Sequence, residues 1–196
     1  MRSWLVLLVA LALGACALQP VPPDQLEARF VARSAALAQH AQWSMTGRVA
    51  VNANGEGWTA GLRWRQSGEE FQIALYDTLG RTLARLDGVP GSVTLRSREG
   101  DSWAPEPEQL LREQLGWDLP LRGLRHWVLG LPRPDTAVAG LDLDREGRPE
   151  RLAQDDWEVV YPQYETANSQ SLPGRVELSR EGLRIKLAVE RWQLEP

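Results

Sequence analysis

From residue 43 onward the sequence alternates between apolar and polar or small residues, and this alternation restricts the possible folds more than any other feature. Side chains of a β-strand point to opposite faces in turn, so a period of two predicts antiparallel strands with one buried face. Trp58, Ala60, Leu62 and Trp64 share one face of such a segment. Clusters of Gly, Asn, Asp and Ser separate the segments 43–51, 58–65, 71–76, 81–86 and 93–95. The first half of the chain is therefore predicted to form a meander of hairpins.

Strand patterns return in the second half, at 141–143, 151–153, 157–161, 175–179 and 183–189. In the last of these, the apolar residues Leu183, Ile185, Leu187 and Val189 alternate with polar or small ones. Continued alternation would place Trp192 on the polar face, whereas a β-bulge would return it to the apolar face. The sequence leaves both arrangements open.

Three segments carry apolar residues at helical spacing instead: 24–39, 105–115 and 121–129. The first begins with the form of a capping box, Asp24 to Glu27, and the second is followed by Gly116, a residue typical of helix C-termini. Many antiparallel strands with three helices predict an α+β fold in which helices cover one curved sheet. We expect a single domain that spans residues 24–196.

The first fifteen residues have the composition of a secretory signal. Arg2 precedes the apolar run 4–13, which is shorter than the roughly 20 residues that a membrane-spanning helix needs. The motif Leu-Gly-Ala-Cys that ends at Cys16 resembles the bacterial lipobox, and Cys16 is the only cysteine in the chain. We therefore predict that residues 1–15 are removed, that Cys16 is lipidated and that 16–23 form a short tether. The alternative is an ordinary signal peptide followed by an unmodified cysteine.

The sequence carries no motif typical of a catalytic, metal-binding or phosphate-binding site. Its two histidines, His40 and His126, fall in separate helical stretches, and the adjacent Asp155 and Asp156 would point to opposite faces of a strand. The formal net charge of −4 argues against a nucleic-acid partner. We expect a protein that is not an enzyme and that uses no metal or cofactor.

Tryptophan is unusually frequent: the chain has nine, against two phenylalanines and three tyrosines. These side chains could pack a core or strand ends, but rigid aromatic walls also suit a concave apolar site. Taken together, the tryptophans favour a lined cavity.

Leu79 is an apolar residue in the turn 77–80, which joins two predicted strands. It could pack inward, or it could form an exposed tip that touches a membrane or a partner, as exposed apolar loop residues often do. The sequence gives the two alternatives equal support.

Several short motifs, in their order and spacing, resemble those of the LolB family, whose members receive lipoproteins at the bacterial outer membrane. The resemblance runs from the lipobox to Trp192 and includes Trp43-x-x-x-Gly47-Arg48-Val49, Leu62-x-Trp64-x-Gln66, Leu79-Gly80, Leu119-Pro120, Leu124-Arg125-x-Trp127-x-Leu129-Gly130-Leu131-Pro132, Gln154-x-x-Trp157-x-Val159-x-Tyr161, Leu172-Pro173 and Ile185-Lys186-Leu187.

This resemblance implies an incompletely closed antiparallel β-barrel, a half-barrel, with a three-helix lid over a hydrophobic cavity for acyl chains. The implied cavity residues are Trp64, Trp127, Trp157 and Trp192. Leu79 would correspond to the exposed leucine of the family's membrane-insertion loop. Members of the family can carry a proline before that leucine where this chain has Thr78, which leaves the rigidity of the loop open.

The resemblance also implies partners and a location. The partners would be the periplasmic carrier LolA, cargo lipoproteins through their acyl chains, and the outer membrane through lipidated Cys16. Because Ala17 follows Cys16, in place of the aspartate that resembles an inner-membrane retention signal, we expect an outer-membrane protein that faces the periplasm. We expect it to be a monomer.

Two other functions compete with that of a receptor. The first is a non-catalytic outer-membrane scaffold whose interior is filled by its own side chains. The second is a lipid-modifying enzyme, although the sequence offers no identifiable nucleophile. A hollow or a filled interior distinguishes the scaffold from the receptor.

Overall fold

The computed structural model describes residues 21–115, 119–165 and 171–195. The predicted signal peptide, Cys16 and Gly116 lie outside these residues. The helices are α1 (Pro23–Ala38), α2 (Pro107–Leu115) and α3 (Leu121–Trp127). The strands are β1 (Gln42–Ala53), β2 (Glu56–Ser67), β3 (Glu70–Tyr76), β4 (Thr82–Val89), β5 (Ser92–Ser97), β6 (Gly100–Ala104), β7 (Val138–Leu143), β8 (Pro149–Gln154), β9 (Trp157–Tyr164), β10 (Pro173–Arg180) and β11 (Leu183–Glu195).

All eleven strands of the described residues form one antiparallel sheet in the order β6-β5-β4-β3-β2-β1-β11-β10-β9-β8-β7. The first and last strands pair at its centre, and β6 and β7 are its two edges. The chain passes from one edge to the other through α2 and α3. The sheet is therefore an open half-barrel with helices over it, which confirms the predicted fold class.

The strand register places several turns together at one end of the sheet. The hairpins β1–β2, β3–β4 and β5–β6 all turn there, which follows from the pairs Gly61↔Tyr76 and Ala84↔Ser97. The β10–β11 turn joins them, because the backbone N–H of Asn54 donates to the carbonyl of Gly182 at 2.8 Å. We call this the loop end. Helix α1 leads into the opposite end.

A β-bulge in β11 determines the face on which Trp192 lies. Thr46 pairs with Arg191 but Gly47 pairs with Val189, so Glu190 is an extra residue. The shift returns Trp192 to the inner face, opposite Met45. Gly47 permits the close approach, since a Cβ there would collide with the backbone carbonyl of Ala188.

Helix α1 begins one residue earlier than predicted, and the predicted capping box is wrong. Pro22 occupies the N-cap position and no side chain caps it. Asp24 instead lies in the first turn, where a carboxylate interacts favourably with the helix dipole. Arg33 attaches α1 to the body of the protein by donating to the carbonyls of Leu129 at 3.1 Å and Ser171 at 3.3 Å.

Candidate functional site: an apolar cavity beneath the helices

The half-barrel encloses a cavity of about 370 Å³ between the sheet and the helices α2 and α3. This volume falls in the range of small-molecule sites, about 300–1,000 Å³. The side opposite the sheet is built from Leu111 of α2, Leu121 and Leu124 of α3, and Leu119, which precedes α3. Its sheet side carries Val49, Val51, Leu62, Trp64, Ile73, Leu75, Leu83, Leu86, Leu95, Ile185 and Leu187.

The two halves of the sheet are packed differently. On β8, β9 and β10 the inward side chains Leu152, Val159 and Leu178 have no exposed surface. On β3 and β5, by contrast, Ile73 and Leu95 are only partly buried although they face the helices. One half of the interior is thus filled and the other is hollow, so the interior is not that of the predicted alternative, a scaffold with a filled core.

The cavity opens toward the loop end. Its polar lining residues are the β5–β6 turn residues Arg98 and Glu99, their neighbour Ser97, and Gln114 of α2. Trp58, which the prediction did not include, also lines the cavity and is 41% exposed. A bound molecule would therefore enter or leave between polar groups and an exposed indole.

Four tryptophans are predicted to line the cavity, and of these Trp64 lies on the described cavity wall. Its indole N–H donates to the side-chain oxygen of Gln66 at 2.9 Å, and Gln66 donates in turn to the carbonyl of Gly68 at 2.9 Å. The ring also packs against Trp43, with centroids 5.2 Å apart. These contacts fix the indole with its polar edge satisfied and its apolar face available to the cavity.

Trp127 and Trp157 lie together in the filled half of the interior, away from the described cavity wall. Trp127 has no exposed surface, its indole N–H donates to Gln154 at 2.9 Å, and its carbonyl accepts a hydrogen bond from Tyr161 at 3.0 Å. The Trp157 ring packs 6.2 Å from that of Trp127 and beneath the guanidinium of Arg180. Because Gln154 lies on β8 and Tyr161 on β9, these hydrogen bonds anchor Trp127, and with it α3, to the sheet, and Trp157 of β9 packs against the same ring.

Trp192 also lies away from the described cavity wall, although the bulge turns it inward. Its indole N–H donates to the carbonyl of Pro173 at 2.9 Å, and its ring packs edge-on against Trp43 at 5.6 Å. Trp43 separates it from Trp64. Trp192 thus supports the wall from behind.

The β3–β4 loop carries Leu79 at its tip with 77% of its surface exposed. The inward-packed alternative is therefore wrong. The Asp77 carboxylate accepts hydrogen bonds from the backbone N–H groups of Leu79 and Arg81, both at 2.9 Å, and from the Arg81 guanidinium at 2.6 Å. Gly80 has a φ of +78°, which glycine adopts without strain. This network orders the loop without a proline at Thr78.

The hydrogen bonds that hold this loop also affect the titration of Asp77. The hydrogen bond from the backbone N–H of Arg81 is the largest effect and lowers the pKa of Asp77. The hydrogen bond from the Arg81 side chain lowers this pKa further, by a smaller amount. The carboxylate is therefore charged throughout the neutral range, and the loop network is complete there.

The two histidines lie on different segments, and His40 is in the loop that follows α1. His126 lies on α3, where burial, and secondarily the charge of Arg125, lower its pKa to about 4. It is neutral at pH 7 and accepts a hydrogen bond from Arg125 at 3.2 Å.

Among residues 21–115, 119–165 and 171–195, no three His, Cys, Asp or Glu side chains cluster in a way that could hold a metal ion. None of the helices in those ranges is both long and apolar enough to cross a membrane.

An open antiparallel half-barrel with an apolar cavity under a helical lid defines the class: a lidded half-barrel protein with a site for an apolar ligand. Two solved structures share the fold, a LolA superfamily protein from Nitrosomonas europaea and a DUF1329 family protein from Desulfovibrio piger. Each has a TM-score of 0.50 at 8% identity over 90% of this chain, and the match covers 95% and 94% of those chains, respectively.

Sequence relatives are more specific. Residues 41–192 match the family model described as "Outer membrane lipoprotein LolB". A protein of that name from Alkalilimnicola ehrlichii is 40% identical over 96% of this chain and 95% of its own length. Another from Nitrosococcus oceani is 39% identical over 98% of both chains. The chain belongs to the LolB family.

Proposed function

We propose that this chain is an outer-membrane receptor that accepts lipoproteins from the periplasmic carrier LolA and inserts them into the outer membrane. The observation that carries the proposal is an apolar cavity that opens at the same end of the sheet as the exposed Leu79. Cargo acyl chains would lie against Trp64 and its aliphatic neighbours. Leu79 would touch the membrane while they leave.

The energetics favour a passive relay over an enzyme. Burying one methylene is worth about 0.8 kcal/mol, so an acyl chain of roughly 15 methylenes gains about 12 kcal/mol when it leaves water. Such a chain cannot cross the periplasm exposed. Transfer would proceed between apolar sites of increasing affinity and end in the bilayer, and it needs no nucleophile or nucleotide.

The proposal includes a membrane anchor. Residues 1–15 would be a signal peptide, Cys16 the lipidated residue, 16–23 the tether and 24–196 a single lipid-binding domain. Two or more acyl chains on Cys16 would hold the protein stably at the membrane, whereas a single chain gives only marginal membrane binding. The domain would face the periplasm as a monomer.

The tryptophans have different roles in this proposal. Trp64 contacts cargo. Trp127 and Trp157 keep α3 in place over the sheet, and Trp192 supports Trp43 behind the cavity wall. Trp58 joins the site at the cavity opening.

A transfer assay tests the proposed function. LolA loaded with a fluorescent lipoprotein is mixed with residues 16–196 of this chain carrying Cys16→Ala, and size-exclusion chromatography then shows which protein holds the cargo. This fragment retains all of the described helices and strands. We expect the cargo to move from LolA to the receptor, and cargo that stays on LolA would reject the proposal.

A further inference from the structure

The opening of the cavity carries polar side chains that the acyl chains themselves do not need. Arg98 and Glu99 lie in the β5–β6 turn, and Gln114 lies near the end of α2. The remainder of the described lining is almost entirely aliphatic or aromatic. A site for hydrocarbon alone would gain nothing from charges at this position.

These side chains also differ from their neighbours in what they bind. On the outer face of the same hairpin, Arg96 forms ion pairs with Asp87 at 2.6 Å and with Asp101 at 3.7 Å. Within the described part of the chain, the Arg98 guanidinium and the Glu99 carboxylate have no such partner. As far as the described residues show, the same hairpin thus holds a paired arginine on its outer face and an unpaired one at the cavity opening.

Gln114 shows the same contrast on α2. Gln109, earlier on the helix, donates to Glu113 at 2.9 Å. The Gln114 amide faces the cavity and has no hydrogen-bond partner among the described residues. Its two N–H donors and its carbonyl acceptor are available at the opening.

We propose that Arg98, Glu99 and Gln114 form a subsite for the polar linkage that joins acyl chains to a lipid-modified cysteine. This inference rests on the proposed function and extends it to the recognition of the cargo headgroup. A diacylglyceryl cysteine presents two ester carbonyls, and an N-acylated one adds an amide. Arg98 and Gln114 donate to the carbonyl oxygens, and Glu99 accepts a hydrogen bond from the amide N–H.

This assignment fixes the orientation of the cargo. The acyl chains point inward toward Trp64, and the cysteine lies at the loop end with the rest of the lipoprotein outside. Specificity for lipoproteins over free fatty acids then comes from the opening, because the aliphatic wall accepts any hydrocarbon.

The test compares three probes on residues 16–196 carrying Cys16→Ala. The first is a synthetic peptide whose N-terminal cysteine carries ester-linked octanoyl chains on glycerol and an N-octanoyl amide. The second is the same peptide with ether in place of ester linkages, and the third is the apolar dye N-phenyl-naphthylamine. Arg98→Ala and Gln114→Ala are the test variants, with Arg96→Ala and Gln109→Ala as matched controls.

We expect each test variant to bind the ester peptide about tenfold more weakly. A change of this size is expected when a carbonyl oxygen of the ligand loses one hydrogen bond from a charged or well-placed donor. Binding of the dye should stay within about twofold, and the ether peptide should show little dependence on Arg98. Unchanged binding of the ester peptide by both test variants, or an equal loss for the dye and both peptides, would overturn the subsite alone. If residues 16–196 with Cys16→Ala as the sole substitution bind neither peptide, the proposed function is overturned as well.

Discussion

The indole N–H of Trp127 donates to the side-chain oxygen of Gln154 at 2.9 Å, and this bond joins the lid helix α3 to the end of β8. The same oxygen accepts a hydrogen bond from the backbone N–H of Arg133 at 2.8 Å. The Gln154 amide nitrogen donates to the carbonyls of Arg133 and Thr136. Gln154 is only 1% exposed, and all four of its hydrogen-bonding positions are occupied.

We predict that Gln154→Leu destabilises the protein by about 3 kcal/mol, because it leaves buried donors and acceptors unsatisfied. Urea unfolding followed by tryptophan fluorescence measures the loss. Gln163→Leu on β9 is the control, since Gln163 is exposed. Equal stability of the two variants would contradict this role for Gln154.

Replacing Leu79 tests whether the exposed loop tip acts at the membrane. Leu79→Glu should leave the acceptance of cargo from LolA within about twofold, because the residue lies outside the cavity lining, and should reduce delivery into liposomes about tenfold or more. Delivery is measured as fluorescent lipoprotein that floats with the vesicles. Val138→Glu on the edge strand β7 removes another exposed apolar side chain and should deliver normally. If the two variants deliver equally well, Leu79 has no special role.

The close approach of β1 and β11 predicts the effect of a side chain at Gly47. Gly47→Val should cost about 1–3 kcal/mol, because the new side chain collides with the backbone of Ala188 and displaces the bulge that turns Trp192 inward. The unfolding midpoint in urea and the emission spectrum of the folded protein should both change. Gly57→Ala is the control, since an added Cβ there meets only ordinary contacts at 3.5 Å or more. A Gly47 variant as stable as the control would refute this account of the bulge.

The lowered pKa of His126 predicts how stability depends on pH. The folded protein keeps His126 neutral down to a pKa of about 4, whereas the unfolded chain takes up its proton near the ordinary value of 6.5. Between these values the unfolded state binds more protons, so the contribution of His126 to stability falls as the pH decreases from 6.5 to 4.

His126→Gln should therefore flatten the dependence of the unfolding free energy on pH between 6.5 and 4. Chemical denaturation at several pH values in this window and at pH 7.5, where both states are neutral, measures the difference. An identical slope in the variant and the wild type would contradict the assignment.

Much of the sheet could be predicted from the sequence because a half-buried strand repeats its pattern locally. The alternation at Trp58 to Trp64 and at Leu183 to Leu187 corresponds to β2 and β11. The bulge at Glu190 could not be predicted, since it depends on how closely β11 approaches Gly47 across the sheet. The capping box failed because α1 begins at Pro23, whose fixed φ suits the first turn of a helix.

The site was predicted less completely than the fold. The tryptophan content already favoured an apolar cavity, and the resemblance implied both the cavity and an exposed Leu79. Which tryptophans line the cavity, however, depends on long-range partners. Trp127 is held by Gln154 and Trp192 by Pro173, and neither contact has a local sequence signal. Trp58 shares the face of Trp64 on β2, so the alternation alone could have identified it.

The most direct test of the central claim is a photocrosslinking measurement on β3. A benzophenone amino acid replaces Ile73, which lines the cavity, or the adjacent Gln72, which is exposed on the opposite face. Each protein is loaded with a lipoprotein that carries radiolabelled acyl chains and is then irradiated. We predict crosslinks to the acyl chains from position 73 and none from position 72, whereas equal labelling, or none from position 73, would contradict acyl-chain binding in this cavity.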